Sequence, residues 1–162
     1  MIDPQISATE KPDLYRELAQ ALSAVVAGEP DDIANMANVA ALLWEYLPDI
    51  NWVGFYRAAG DELVLGPFQG RVACVRIPFG KGVCGTAAAT RATQVVEDVH
   101  AFPGHIACDA ASRSEIVVPI IRDGQVIAVL DIDSPVIGRF DAADRAGCEV
   151  IAAIVSENRA QS

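Results

Sequence analysis

The chain has 162 residues, 52% of them hydrophobic and 21% charged, and its 12 basic and 22 acidic side chains give a net charge of −10. This is typical of one soluble globular domain, and no stretch approaches the roughly 18 consecutive apolar residues of a membrane helix, so we expect no membrane insertion. The negative charge repels phosphates, which excludes nucleic acid as a partner and favours a ligand with an ammonium group, although most acidic surfaces only maintain solubility.

The first residues lack the basic segment and apolar core of a secretory signal peptide. We therefore expect a cytoplasmic protein, in which thiols stay mostly reduced and the four cysteines are not structural disulfides. Residues 1–11 are expected to be flexible and residues 12–160 to form a single domain.

Apolar residues at helical spacing predict amphipathic helices over residues 12–27 and 31–47, and a last helix over residues 143–155. Proline near the start and glycine or proline after the end support the first two. Met36 and Trp44 lie on the apolar stripe of the second helix, where burial in the core is expected. These helices are predicted to cover a sheet.

Aromatic and β-branched residues predict two strands over residues 51–57 and 62–68, joined by a hairpin turn. Alternation places Trp52, Gly54 and Tyr56 on one face. Two rings on either side of a glycine can leave a recess for a small apolar group. Two core aromatic residues over a close backbone contact are an equally good interpretation.

A further strand is predicted over residues 72–78 and a short helix over residues 87–90. Between them, three glycines match the dinucleotide-binding pattern G-x-G-x-x-G: Gly80, Gly82 and Gly85. We reject a dinucleotide site because that motif needs a parallel βαβ unit, whereas the flanking segments indicate antiparallel hairpins. The glycines instead predict a turn that places Cys84 at a helix start, where the helix dipole lowers a thiol pKa.

The remaining segments are predicted to be a strand over 95–99, a long loop over 100–114, and two strands over 116–121 and 126–132 joined by an Asp-Gly hairpin. Asp131 and Asp133 share a face of the last strand, and Glu115 begins its neighbour. If the three carboxylates converge, burial and like charge raise at least one pKa and keep a proton near neutral pH. The alternative is that they are solvated residues at strand ends.

Three interpretations compete for Cys74, Cys84 and Cys108. A zinc site completed by His100 or His105 is disfavoured because no C-x-x-C pair is present. Simple burial is the second, and it is the one we assign to the fourth cysteine, Cys148, in the last helix. The third is redox chemistry, in which a thiolate attacks an oxidised sulfur and a second thiol resolves the product. Cys108 in a loop of small and polar residues favours this third interpretation.

The motifs together resemble the free methionine-(R)-sulfoxide reductases, which are enzymes with a single GAF domain. The resemblance covers residues 50–141 and rests on these segments: Asn51-Trp52-Val53-Gly54-Phe55-Tyr56, Gly66-Pro67-Phe68-Gln69-Gly70, Gly82-Val83-Cys84-Gly85-Thr86, the Cys108 loop and Leu130-Asp131-Ile132-Asp133-Ser134. It implies an α+β fold with a central antiparallel sheet of about six strands flanked by helices. The spacing of the three cysteines is the most specific part of the match.

The resemblance also implies roles for particular residues. Cys108 would be the catalytic nucleophile, Cys74 the resolving thiol, and Cys84 a pocket residue or alternative resolver. Trp52 and Tyr56 would enclose the substrate methyl group. The three carboxylates would bind the sulfoxide oxygen and the ammonium group: Glu115, Asp131 and Asp133. No cofactor is implied, thioredoxin is the implied reductant, and a homodimer is the implied assembly.

The main rival is a non-catalytic GAF sensor that binds a cyclic nucleotide or a similar ligand. Such a module normally precedes an output domain, for which 162 residues leave no room. A phosphate ligand would also require cationic or backbone N–H groups instead of three carboxylates. Thiol-dependent turnover separates the two functions.

Overall fold

The computed structural model describes residues 3–105 and 110–158, and in them a six-stranded antiparallel sheet is packed between helices. The helices are α1 (Lys11–Val26), α2 (Asp32–Tyr46), α3 (Gly82–Thr90) and α4 (Ala142–Glu157), and a 3-10 turn covers Val99–Ala101. The strands are β1 (Trp52–Ala59), β2 (Glu62–Gly70), β3 (Arg76–Pro78), β4 (Gln94–Val96), β5 (Ser114–Arg122) and β6 (Gln125–Ser134). The predicted fold class is therefore confirmed.

The strand order β3-β2-β1-β6-β5-β4 places β1 and β6 at the centre. Alternation along each strand separates two apolar layers. Val53 and Phe55 of β1 face α1, α2 and α4, whereas Trp52 and Tyr56 face the layer that contains α3. The site described below lies on the α3 side because its strand residues point to the same face of the sheet as Trp52.

Helix ends follow local chemistry. The Asp31 side chain accepts a hydrogen bond from the Ala34 N–H and begins α2, and Asp141 with Asp144 forms a capping box at the start of α4. The Asp-Gly hairpin between β5 and β6 is present as predicted. All strand pairs are antiparallel, which agrees with our rejection of the dinucleotide motif.

A polar junction joins α1 to α4. Asp144 is fully buried, accepts a hydrogen bond from the Tyr15 hydroxyl at 2.7 Å, and pairs with Lys11 at 2.6 Å and Arg139 at 3.0 Å. The helices approach so closely that a Cβ at Gly147 would lie 2.1 Å from the Tyr15 ring. Cys148 is buried beside this junction, as the packing interpretation predicted.

Several sequence predictions are wrong in detail. Trp44 is 41% exposed, because it lies about 100° around α2 from Leu43, which faces the core. The predicted strand over residues 72–78 is regular only over Arg76–Pro78, and the strand predicted over 95–99 is Gln94–Val96. Helix α3 begins at Gly82, five residues before the predicted start.

Residues 3–10 precede α1, and Ile6 and Ala8 pack partly against the core. The backbone N–H groups of Ser7 and Ala8 donate to a carboxylate oxygen of Glu17 at 3.1 and 3.0 Å. The flexible N-terminus and the bounds of the single domain stay predictions. Within the described residues, no helix combines the length and the apolar character needed to span a bilayer.

Candidate active site

A row of functional side chains crosses the three strands β1, β6 and β5. Trp52 pairs with Asp133 on β6, and Asp133 pairs with Glu115 on β5. Asp131 lies two residues before Asp133, on the same face, and pairs with Gly54. Antiparallel register therefore brings the three predicted carboxylates together in space, although the β5–β6 hairpin separates Glu115 from the other two along the chain.

The two predicted aromatic residues form one wall of a pocket that these carboxylates also line. The rings of Trp52 and Tyr56 are stacked with centroids 5.9 Å apart, and both residues are buried. The Trp52 Nε1–H donates to the carbonyl oxygen of Arg71 at 3.1 Å, and the Tyr56 hydroxyl donates to that of Cys74 at 3.0 Å. Each ring thus anchors the segment that contains Cys74 beside the pocket.

The recess expected over Gly54 is not open. A Cβ at Gly54 would lie 2.3 Å from the Phe68 Cβ. Phe68 on β2 pairs directly with Gly54 on β1, beside a register shift between the two strands. The Phe68 Cβ and the backbone of β2 occupy this space, and the Phe68 ring stacks on Trp52 with a centroid distance of 5.2 Å. Both sequence interpretations are therefore partly right, since the glycine marks a close backbone contact and the rings line the pocket elsewhere.

Cys84 lies in the first turn of α3 and faces the carboxylates across the pocket. Its Sγ is 4.0 Å from Glu115 Oε2. Cys84 Sγ, a Glu115 oxygen and an Asp131 oxygen all lie within 4.8 Å of one another, close enough to bind one cation. Asp131 Oδ1 is buried, and no hydrogen-bond donor among the described residues reaches it. An acceptor left in this state favours a ligand that donates hydrogen bonds.

Burial dominates the protonation of this cluster. It raises the pKa of Asp131 to about 8, with a further contribution from the charge of Asp133. Burial followed by the charge of Asp131 raises the pKa of Glu115 well above its ordinary value. Clustering therefore raises carboxyl pKa values, as the sequence predicted.

The prediction for the Cys84 thiol is wrong in direction. Burial, followed by the charges of Asp131, Glu115 and Asp133, raises its pKa well above the ordinary value. The start of α3 is present, but a helix terminus contributes less than desolvation beside three acids. Cys84 is thus a neutral thiol in the resting pocket.

Sequence reasoning missed the groups that could bind an anion. Lys81, Gly82 and Val83 line the pocket where α3 begins. Among the residues that the structure describes, no side chain caps the start of this helix, and the N–H groups of a first turn have no partner within the helix. These N–H groups form the positive end of the helix dipole, opposite the carboxylates. The signal available in the sequence is the Lys-Gly pair at the predicted turn and helix start before Cys84, which the sequence interpretation relates only to the Cys84 thiol.

The three cysteines that the structure describes are not in the same state. Cys74 is in a disulfide, whereas Cys84 and Cys148 are free and buried. Cys108, predicted as the nucleophile, lies outside the described residues, and His105 and Ser112 on either side of that gap line the pocket. A sulfur in a disulfide is not a zinc ligand, which argues against the zinc alternative.

Comparison with known proteins identifies the family. A GAF domain model matches residues 34–158. The chain is 56% identical to the free methionine-R-sulfoxide reductase of Escherichia coli over 143 residues, which is 88% of this chain and 87% of that protein. The yeast Saccharomyces cerevisiae protein of the same name is 43% identical and covers 94% of this chain, with 89% of its own length matched. This chain belongs to the GAF-domain family of free methionine-R-sulfoxide reductases.

A solved structure extends the similarity to the fold of the whole chain. The X-ray structure of free methionine-R-sulfoxide reductase from Neisseria meningitidis in complex with its substrate superposes with a TM-score of 0.94 at 50% identity. The match covers 98% of this chain and 95% of that one. The similarity therefore includes the strands and α3, which carry the pocket, and the family resemblance inferred from the motifs is confirmed.

Proposed function

We propose that this protein reduces free L-methionine-(R)-S-oxide to L-methionine, with Cys108 as nucleophile, Cys74 as resolving thiol and thioredoxin as the final reductant. The observation that carries the proposal is a pocket in which an aromatic wall, buried carboxylates and the segment of a disulfide-bonded cysteine meet. The names of the relatives support the substrate. A ligand with only negative charge, such as that of a cyclic-nucleotide sensor, would lie beside the buried carboxylates with no cationic group to pair with them, whereas a free amino acid has an ammonium group.

In the first step the Cys108 thiolate attacks the sulfoxide sulfur. The sulfoxide oxygen takes one proton and passes as a hydroxyl group from the substrate sulfur to the Cys108 sulfur, while the bond formed between the two sulfurs breaks, so Cys108 becomes a sulfenic acid and methionine leaves. A carboxyl group with a raised pKa is a suitable proton donor at neutral pH, and we assign this role to the cluster of Glu115, Asp131 and Asp133. These residues then act as acid and binding group at once.

In the second step the Cys74 thiol attacks the sulfenic sulfur, and water leaves as a disulfide forms. Two observations support Cys74 as the resolving residue: it is disulfide-bonded, and Cys84 and Cys148 are free. The proposal takes Cys108 as the partner of Cys74 in this step because the family resemblance implies that Cys108 is the nucleophile. Thioredoxin then transfers two electrons and two protons to the disulfide. Cys84 remains available as an alternative resolver.

The pocket also suits the polar ends of a free amino acid. Asp131 Oδ1, which no donor among the described residues reaches, and the neighbouring carboxylates would accept hydrogen bonds from the substrate ammonium group. The first turn of α3 and Lys81 would bind the substrate carboxylate. Trp52 and Tyr56 would contact the S-methyl group. An amino acid within a peptide has neither charge, so this arrangement favours the free substrate.

A homodimer and a cytoplasmic location are part of the proposal. Small and apolar residues of α1 and α4 form an outer groove in which Val150 is half exposed, a surface that a second copy would cover. Light scattering after size exclusion would test the dimer, and a monomer at micromolar concentration would refute it. Fractionation of cells would test the location.

The test of the function is a coupled assay with thioredoxin, thioredoxin reductase and NADPH, run separately with the R and S epimers of free methionine sulfoxide. Turnover of the R epimer alone is expected. Cys108→Ser should retain less than about one per cent of the wild-type rate, since loss of a covalent nucleophile costs several decades. Cys148→Ala, outside the pocket, is the matched control and should retain the rate. Turnover of neither epimer, or undiminished turnover by Cys108→Ser, would overturn the proposal.

A further inference from the structure

An exposed segment surrounds Cys74, and we define it as the 71–76 segment, which connects β2 to β3 and ends in the first residue of β3. Its sequence is Arg-Val-Ala-Cys-Val-Arg. Val72 is 90% exposed and Val75 60% exposed, whereas Cys74 between them is half-buried. Two large apolar side chains thus flank a disulfide cysteine in open solvent. Isolated exposed valines need no explanation, but a pair of them beside a reactive sulfur indicates a contact surface.

The 71–76 segment is held in place by its carbonyl groups. Those of Arg71 and Cys74 accept from the buried Trp52 and Tyr56 side chains, and that of Val75 accepts from the Leu65 N–H at 2.8 Å. These bonds fix the backbone while both valines stay exposed to solvent, Val72 at a position that also lines the pocket. A surface ordered before binding loses little entropy when a partner docks.

The charge of the 71–76 segment is opposite to that of the chain. It contains two arginines and no acid, in a protein with a net charge of −10. The Arg76 side chain is largely exposed while it pairs with Glu62 at 2.6 Å, and Arg71 is exposed. An acidic partner is repelled by most of this protein and is repelled least here.

We propose that the 71–76 segment is the docking surface for a protein dithiol reductase of the thioredoxin class, which attacks the sulfur of Cys74. This inference rests on the proposed function and specifies how its last step occurs. The valines contact the apolar rim around the reductase thiols, and the arginines orient an acidic surface. The docked reductase then faces Cys74 directly.

A reductase thiolate attacks Cys74 Sγ, forms an intermolecular disulfide and displaces the partner cysteine of Cys74 as a thiolate, which takes a proton. The second reductase thiol attacks this intermolecular disulfide and releases Cys74 as a thiol. Two electrons pass from the reductase, which leaves as a disulfide, to this protein.

The test compares a protein reductant with a small one and uses no sulfoxide. Oxidised protein is mixed with a bacterial thioredoxin kept reduced by its reductase and NADPH, or with dithiothreitol, and the second-order rate of disulfide reduction is measured. Val75→Ser should slow reduction by thioredoxin about tenfold, as for a central contact residue in an interface. Reduction by dithiothreitol, which needs no docking surface, should change less than about twofold.

Two further variants complete the comparison. Val95→Ser removes a valine that is 38% exposed on β4, at the opposite edge of the sheet, and should leave both rates unchanged. Arg71→Glu should slow thioredoxin more at low salt than at high salt, because screening weakens the new repulsion. An equal loss with both reductants in Val75→Ser, or an unchanged thioredoxin rate in Val75→Ser and Arg71→Glu, would overturn the docking surface.

A trapping experiment identifies the attacked sulfur. Thioredoxin without its second active-site cysteine should accumulate as a mixed disulfide, and peptide mapping should find it joined to Cys74. Attachment to any other cysteine would overturn the proposal. Because these measurements contain no substrate, normal docking together with no sulfoxide reduction would refute the proposed function and leave the docking surface intact.

Discussion

The buried carboxylate Asp131 should make the protein less stable as pH rises. Its pKa is about 8 in the folded protein against an ordinary value of 3.8. At a pH between these two values, Asp131 therefore keeps its proton in the folded state and has lost it in the unfolded state. The stabilisation from this proton is complete below about pH 4 and disappears as pH rises through about 8. Asp131→Asn, which imitates the neutral acid, should be free of this loss.

The difference of about 4 pKa units, at about 1.36 kcal/mol per unit, sets an upper limit of about 6 kcal/mol for the effect. Water can enter the pocket and relax the charge, and Glu115 shares the proton, so we expect a gain of about 2 to 3 kcal/mol for the variant relative to wild type. Because Asp131 is proposed to act in catalysis, the same variant should lose activity while it gains stability at high pH.

The assay is urea unfolding of the reduced protein at several pH values between 5 and 9, with the free energies of wild type and Asp131→Asn compared at each pH. The variant should gain on the wild type as pH rises to about 8, and the difference should level off above that pH. Asp61→Asn, in the exposed turn between β1 and β2, is the control and should not gain. A difference between Asp131→Asn and wild type that stays constant within about 0.5 kcal/mol would refute the reasoning, because linkage requires a slope.

Further predictions concern the site and the core. Cys74→Ser should complete roughly one turnover with thioredoxin and then stop, since the sulfenic acid on Cys108 is not resolved. Peptide mapping that joins Cys84 to Cys108 in the oxidised wild type would contradict this. Asp133→Asn should lower kcat more than it raises KM, and an unchanged rate and pH profile would limit the carboxylates to positioning. Binding of free substrate at pH 7 should release about one proton, seen as calorimetric heats that vary with the buffer. Gly147→Ala should lower the free energy of unfolding by about 1 to 3 kcal/mol in urea, because its methyl group meets the Tyr15 ring.

The parts of the site predicted from sequence are those governed by strand alternation. A period of two places Asp131 and Asp133 on one face, and the Asp-Gly turn sets the register that brings Glu115 beside them. Aromatic residues at alternate positions of β1 likewise face the pocket together. Such inferences need only local geometry and one hairpin.

The parts that failed depend on distances between elements far apart in the chain. Burial contributes most to the raised Cys84 pKa, the carboxylates that raise it further lie on β5 and β6, and a helix start is a weaker influence than either. Phe68 fills the recess over Gly54 because of a register shift between β1 and β2, which no periodicity reveals. Trp44 lay at the border of an apolar stripe, where a small rotation of the helix decides exposure.

The central claim is that the pocket reduces the free amino acid, and its most direct test is the specificity constant for free methionine-(R)-sulfoxide against that for its N-acetyl derivative, with the same thioredoxin supply. Acetylation removes the ammonium charge, which costs about 1.5 to 3 kcal/mol for one charge-assisted hydrogen bond. It also presses an acyl group against the buried carboxylates, so the combined loss should exceed about a thousand-fold. Comparable specificity constants for the two compounds would mean that the site recognises only the sulfoxide, and would contradict the account.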